Sequence, residues 1–142
     1  MNSSSKTQIT VETTVYAPIE KVWQYWTLPE HITQWNNASD DWHTTRAEND
    51  LRTGGKFVSR MEAKDGSMSF DFGGEYDEVI NHERIASTLG DGRKVEVSFA
   101  SLGSQTRVIE TFEAETQNSE ELQKSGWQSI LDNFKNYTEE KK

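Results

Sequence analysis

The stretch that decides the fold is Ala17-Pro18-Ile19-Glu20-Lys21-Val22-Trp23-Gln24-Tyr25-Trp26-Thr27-Leu28-Pro29-Glu30-His31-Ile32-Thr33-Gln34-Trp35. Pro18 suits a first helical turn, where its missing N–H costs nothing, and Ile19, Val22, Trp23 and Trp26 follow at helical spacing. Pro29 breaks that helix, and a second short one from Glu30 to Trp35 carries Ile32 and Trp35 on one side. Upstream, Gln8 to Tyr16 alternates Ile9, Val11, Thr13 and Val15 against polar residues, the period of a half-buried strand. Downstream, the polar run Asn36 to Asp41 turns the chain into a long region of strand pattern.

That region begins at Trp42 and is punctuated by Gly54-Gly55, Asp65-Gly66, Asn81-His82, Gly90-Asp91-Gly92 and Gly103-Ser104, the chemistry of hairpin turns. Phe57, Ser59, Met61 and Ala63 share one strand face; Met68, Phe70 and Phe72 share another, as do Val95, Val97 and Phe99. Gly73-Gly74 interrupts a continuous strand signal from Met68 to Ile80 and predicts a bulge or sharp bend that curls the sheet. A closing amphipathic helix, capped by Ser119 with Leu122 in its first turns, carries Trp127, Ile130, Leu131, Phe134 and Tyr137 on one stripe. Gly126 sits inside it at a cost of about 1 kcal/mol of helix propensity, which implies close packing or deliberate room beside the sheet. The order predicts an α+β fold: a curved antiparallel sheet of six to seven strands wrapped around a long C-terminal helix, with two short helices after the first strand. Function is then expected in an apolar space between sheet and helix.

At 142 residues the chain is expected to form one domain, with 1–7 as a loose tail and 139–142 as a frayed end. Only 32% of it is apolar, yet it holds five tryptophans, so large rings must supply most of the buried area. The net charge of −9 argues against a nucleic-acid backbone or an anionic membrane surface, both of which need clustered Lys and Arg. Cysteine is absent, which excludes disulfides, thiolate metal sites and thiol nucleophiles and fits a reducing cytoplasm. The first seven residues lack an apolar segment of signal-peptide type, and no stretch approaches a membrane span, so membrane insertion is not expected.

Several motifs together resemble a known family. The run Ala17–Trp35, Gly54-Gly55-Lys56-Phe57, Asp65-Gly66 followed by Phe70-Asp71-Phe72-Gly73-Gly74-Glu75-Tyr76-Asp77-Glu78-Val79, then Glu83-Arg84-Ile85, Thr111-Phe112-Glu113 and Gly126-Trp127-Gln128-Ser129-Ile130-Leu131 resemble the START-like helix-grip superfamily, which includes Bet v 1-like proteins. More narrowly they are similar to its bacterial branch named after the activator of the 90-kDa heat-shock protein ATPase. The resemblance spans about residues 8 to 138 and implies a ligand cavity. The superfamily's roles include lipid carriage and polyketide cyclisation. The eukaryotic activator works with an additional amino-terminal domain for which this chain has no room, which makes direct chaperone stimulation doubtful.

No residue is assigned a catalytic role from sequence. His31, His43 and His82 form no metal-ligand pair, no Gly-x-Ser-x-Gly opens a helix, and the glycine pairs lie between strands, so neither metal nor cofactor is expected. Asp71 alternates with Phe70 and Phe72 and should face away from them; Glu75, Asp77 and Glu78 follow the expected bulge with their facing open. Glu110 shares strand parity with Val108, Phe112 and Ala114. If that parity faces the cavity, Glu110 is an inward acid whose pKa rises by desolvation or falls beside Arg60 or Arg107; if Ile109 and Thr111 face inward instead, it is solvated. Candidate cavity-lining residues are Trp26, Trp35, Trp42, Phe57, Met61, Phe70, Phe72, Tyr76, Phe99, Glu110, Phe112, Trp127, Ile130 and Phe134. The expected function is binding of a small, largely apolar ligand, a lipid, polyketide or aromatic metabolite, by a monomer or weak dimer. Alternatives are a cyclase- or hydratase-like enzyme using Glu110 or Tyr76, and a co-chaperone-like interaction module.

Overall fold

The computed structural model of the chain describes residues 7–37 and 39–140. Strand β1 (Gln8–Val15) leads into α1 (Ile19–Thr27) and α2 (Pro29–Trp35). Six further strands follow, β2 (Trp42–Asn49), β3 (Lys56–Ala63), β4 (Ser69–Ile80), β5 (Arg84–Leu89), β6 (Lys94–Ser101) and β7 (Thr106–Glu113), and helix α3 (Glu120–Glu140) closes the chain. All strands pair antiparallel in one seven-stranded sheet of order β1-β7-β6-β5-β4-β3-β2. The first two strands therefore occupy opposite edges, and α1 and α2 carry the chain between them. Pro18 stands one position earlier than expected, as the N-cap of α1, while Pro29 is the first residue of α2 with Leu28 as the shared cap.

Alternation fixes which face is inner. Ile9, Val11 and Val15 of β1, Val95, Val97 and Phe99 of β6, and Val108 and Phe112 of β7 are all buried. Val11 lies opposite Glu110, and Glu110 opposite Val97, so the acid belongs to the same inward row. The inward parity of the two is the one realised.

The bulge lies three residues beyond the expected place. Gly73 and Gly74 pair without interruption with Val58 and Phe57, and the register with β5 shifts only between Tyr76 and Glu78, leaving Asp77 as the extra residue. This insertion lets Tyr76 and Val79 both turn inward while Glu75, Asp77 and Glu78 are exposed. The glycines answer a different need: a Cβ on Gly73 would stand 2.3 Å from the carbonyl oxygen of Phe57, and one on Gly74 2.2 Å from that of Thr88. Both neighbouring strands approach too closely for any side chain.

Helix α3 begins as the sequence implies, with Leu122 N–H donating to Ser119 Oγ at 3.1 Å. Leu131 and Phe134 are completely buried and Trp127, Ile130 and Tyr137 half-buried, whereas Leu122 is exposed. The helix runs to Glu140, with the Tyr16 backbone N–H donating to Glu139 at 2.9 Å and Lys135 pairing with the same carboxylate. At the other end, the Thr7 carbonyl accepts from Ala114 N–H at 2.8 Å. The remainder of both expected loose ends, residues 1–6 and 141–142, lies outside the described residues.

Four rings tie the helices to the sheet. Trp26 meets Trp35, Phe99 and Phe134 with centroids 5.0, 5.8 and 4.9 Å away, and Trp35 meets Phe134 at 5.0 Å. Most contacts are edge-to-face, a geometry worth about 0.5–1.5 kcal/mol each beyond area burial.

The two kinds of glycine should respond oppositely to alanine. Gly73→Ala is expected to destabilise by about 1–3 kcal/mol or more, since the added methyl meets backbone. A Cβ on Gly126 meets nothing within 4 Å, so Gly126→Ala should stabilise by about 0.5–1 kcal/mol. Urea melts of both variants check the pair of signs.

Candidate functional site

The inner face is built from alternate residues of every strand, and α3 decides which of them are sealed. That helix packs mainly on β1 and also on α1 and α2. Across the sheet, its Trp127 stacks on Phe112 of β7 with centroids 3.8 Å apart and 10° between planes, and reaches Phe72 of β4 edge-on at 6.2 Å. Between α3 and the β3–β4 part of the sheet the rings are therefore only half covered: Phe57, Phe72, Trp127 and Ile130 are half-buried. Beside Trp127, the space at Gly126 is open.

The fourteen sequence-predicted lining residues divide accordingly. Trp35, Phe99 and Phe134 are sealed core, and Trp26, half-buried, packs against all three. Phe112 is sealed beneath Trp127. Met61 is buried, with Thr44 Oγ1 donating to its sulfur at 3.1 Å. Phe70 lies at the opposite extreme, 47% exposed, and half-buried Trp42 lies with it, edge-on at 5.6 Å, both away from the ring cluster. Phe57, Phe72, Tyr76, Glu110, Trp127 and Ile130 remain around the inner space.

Tyr76 stacks on Phe57 at 4.8 Å and donates its hydroxyl to Asn49 Oδ1, while Asn49 Nδ2 donates to the Thr27 carbonyl at 2.6 Å. Burial holds the phenol pKa above its ordinary value, so it stays protonated and serves this link from the sheet to the end of α1. Glu110 is a different case. It is 9% exposed, and among the described residues no hydrogen bond or ion pair engages its carboxylate. Arg60 is engaged with Asp71, Glu62 and Ser69, and Arg107 with Glu12, on the opposite face. Desolvation alone pushes the Glu110 pKa up to about 8.

Ser87 was not anticipated. It shares parity with Ile85 and Leu89, so the alternation of β5 carried its inward facing, and the register sets it opposite Tyr76 and Val95. Among the described residues, Thr138 Oγ1 is sealed from water without a hydrogen-bond partner, and Arg84 Nε, also sealed, is held by the Glu78 carboxylate at 2.9 Å. Glu110 and Ser87, 9% and 6% exposed, also have no hydrogen-bond partner for their side chains among the described residues.

Two grooves lie on the outer face instead. The larger, about 750 Å³, is lined chiefly by residues of outward parity, among them Lys56, Val58, Asp71, Glu75 and Thr88, with Phe57 and Leu89 of inward parity also reaching it. Its carboxylates behave as a solvated surface, with Asp71 paired to Arg60 and Asp77 accepting from Thr88. No group of acidic residues and histidines with metal-site geometry occurs among the described residues, and none of their helices is long and apolar enough to cross a membrane.

With this architecture in view, residues 16–139 match the family described as Activator of Hsp90 ATPase homolog 1-like protein. The chain belongs to this family. Solved structures agree: the AHSA1-like protein from Aeromonas hydrophila is 47% identical, covers 94% of this chain and 92% of its own, and superposes with a TM-score of 0.88. Chr148 from Cytophaga hutchinsonii is 57% identical over 93% of this chain and 92% of its own, with a TM-score of 0.81. At 22% identity, CV1439 from Chromobacterium violaceum covers 95% of this chain and 99% of its own at a TM-score of 0.84, a likeness of fold alone. No curated protein matches the chain. The family and the curled sheet with its long last helix together make it a member of the START-like helix-grip superfamily.

The raised Glu110 pKa has a defined consequence for stability. Between about pH 4.5 and about pH 8 the folded chain retains a proton that the unfolded chain has released, so this group's contribution falls as pH rises through that window and is level above it. Glu110→Gln is expected to remove that loss, so its advantage over wild type should grow to about 2–5 kcal/mol from pH 5 to pH 8.5. Urea melts of both proteins across the range check it, and a constant difference would overturn it.

Proposed function

We propose that this protein binds a small, largely apolar molecule between the inner face of the sheet and α3. The observation that carries the reading is the buried, unpaired carboxyl of Glu110 in the inward row of β7, on the same sheet face as half-buried Phe57 and Phe72 and facing α3 with its half-buried Trp127 and Ile130. An apolar wall with few convergent polar points is the ordinary composition of a small-molecule site. A chain without cysteine suits a reducing compartment, and we assign the protein to the cytoplasm on that ground.

A second reading, acid–base catalysis of the cyclase or hydratase kind, rests on Glu110, whose pKa of about 8 lies near the range useful to a general acid. Tyr76 does not join it, because its hydroxyl is committed to Asn49. The third reading, action on a chaperone, rests on the family's description alone.

Titration with 2-naphthol, a flat neutral probe, tests the binding reading. Amide resonances from both Phe57–Met61 and the turn of α3 around Trp127 should move together and saturate. Movement confined to the outer face of β3–β5, or none, would overturn the site. Added to a 90-kDa heat-shock ATPase, the protein should leave the basal rate unchanged, since its net charge of −9 provides no steering toward an acidic partner. A saturable acceleration would favour the third reading instead.

A further inference from the structure

The charge balance of the inner face restricts what can occupy it. None of the buried residues is Lys or Arg, and Glu110 is the one ionisable acid among those described as buried. Arg60, Arg84 and Arg107, which flank the sheet, are engaged by Asp71 and Glu62, by Glu78 and Glu96, and by Glu12. An anionic ligand would therefore bring its charge to a space with no counter-charge, beside an acid that burial already disfavours as an anion. A wholly apolar one would leave both Glu110 and Ser87 unbonded and stripped of water.

We propose that the molecule bound there is a monoamine, with a flat apolar body against Phe57, Phe72 and Trp127 and one protonated nitrogen paired with Glu110. This rests on the reading above that the inner face is a small-molecule site. A cationic nitrogen supplies the charge that the isolated carboxylate lacks, and a charge-assisted hydrogen bond is roughly twice as strong as a neutral one. The surroundings favour the cation as well. Phe112 follows Glu110 by two residues on the same face of β7, and Trp127 lies over it, with Phe72 edge-on beyond. Aromatic faces attract a desolvated ammonium, an acid without a partner gives it one fixed anchor, and a second ammonium would find no acid to pair with.

The test compares 2-naphthylmethylamine with 2-naphthylmethanol, which differ only in the group offered to Glu110. Calorimetric titration at about 0.15 M salt, where surface charges are screened beyond roughly 8 Å, measures both on wild type and on Glu110→Gln. Wild type should bind the amine at least about tenfold more tightly than the alcohol. Glu110→Gln should abolish that preference and leave the alcohol's affinity near its wild-type value, which also reports that the variant is folded. Equal affinities on wild type, or a preference that survives in Glu110→Gln, would overturn the amine while the alcohol's binding upholds the apolar site. Failure of both compounds to bind would overturn the site itself, and the amine with it.

Discussion

The contact on which the structure depends is the ring cluster of Trp26, Trp35, Phe99 and Phe134. It joins α1, α2, α3 and β6 in one set of ring contacts, three of them edge-to-face and the Trp26–Trp35 pair tilted. A chain that is only 32% apolar cannot cover a seven-stranded sheet evenly, so it concentrates buried area in a few large side chains. Once those rings fix α3 over β1 and against α1 and α2, the helix cannot also seal β3 and β4. Phe57 and Phe72 are left half covered as a result. The incomplete inner face is a consequence of how the core is anchored.

The close approach of backbones at Gly73 and Gly74 sets the shape around which this happens. Without Cβ atoms, β4 lies against the carbonyls of both β3 and β5, and three residues later the extra Asp77 resets the alternation. Tyr76 and Val79 then both face inward, and the intervening carboxylates of Asp77 and Glu78 stay in water. Tyr76 is thereby able to reach Asn49, which holds the carbonyl of Thr27 at the last residue of α1. One inserted residue thus couples the curvature of the sheet to the position of the crossover helices.

Much of this was legible in the chain, for a physical reason. Period-two alternation states which residues share a face, and the inward sets containing Phe57, Val95 and Val108 follow from it directly. The facing of Glu110 was open because parity in β7 gives two faces without saying which is inner; pairing with Val11 and Val97 resolves it. Glycine misled in one place, because close backbone approach and a bulge leave the same signature, and the true bulge residue is an aspartate with no signature. Which rings are sealed was not readable at all. Trp35 and Trp127 are equally apolar, and only the position of α3 makes the first core and the second a wall. Nor does sequence distance disclose Tyr76 and Asn49 as partners across 27 residues.

Glu110 is where the local rules conflict. Its strand neighbours on the inner face, Val11 and Val97, would be matched by another apolar residue, which would complete the sheet's buried row without a desolvated carboxyl. Several buried hydroxyls are satisfied within the chain: Thr44 is bonded to Asn36 and Met61, Ser59 accepts from Asn36, and Thr106 donates to Ala17, whereas Thr138 Oγ1 is not. A charged partner would offset the desolvation that an acid in this row incurs, which no apolar residue there would need, and that difference is what sets Glu110 apart from Val11 and Val97 as a candidate for function.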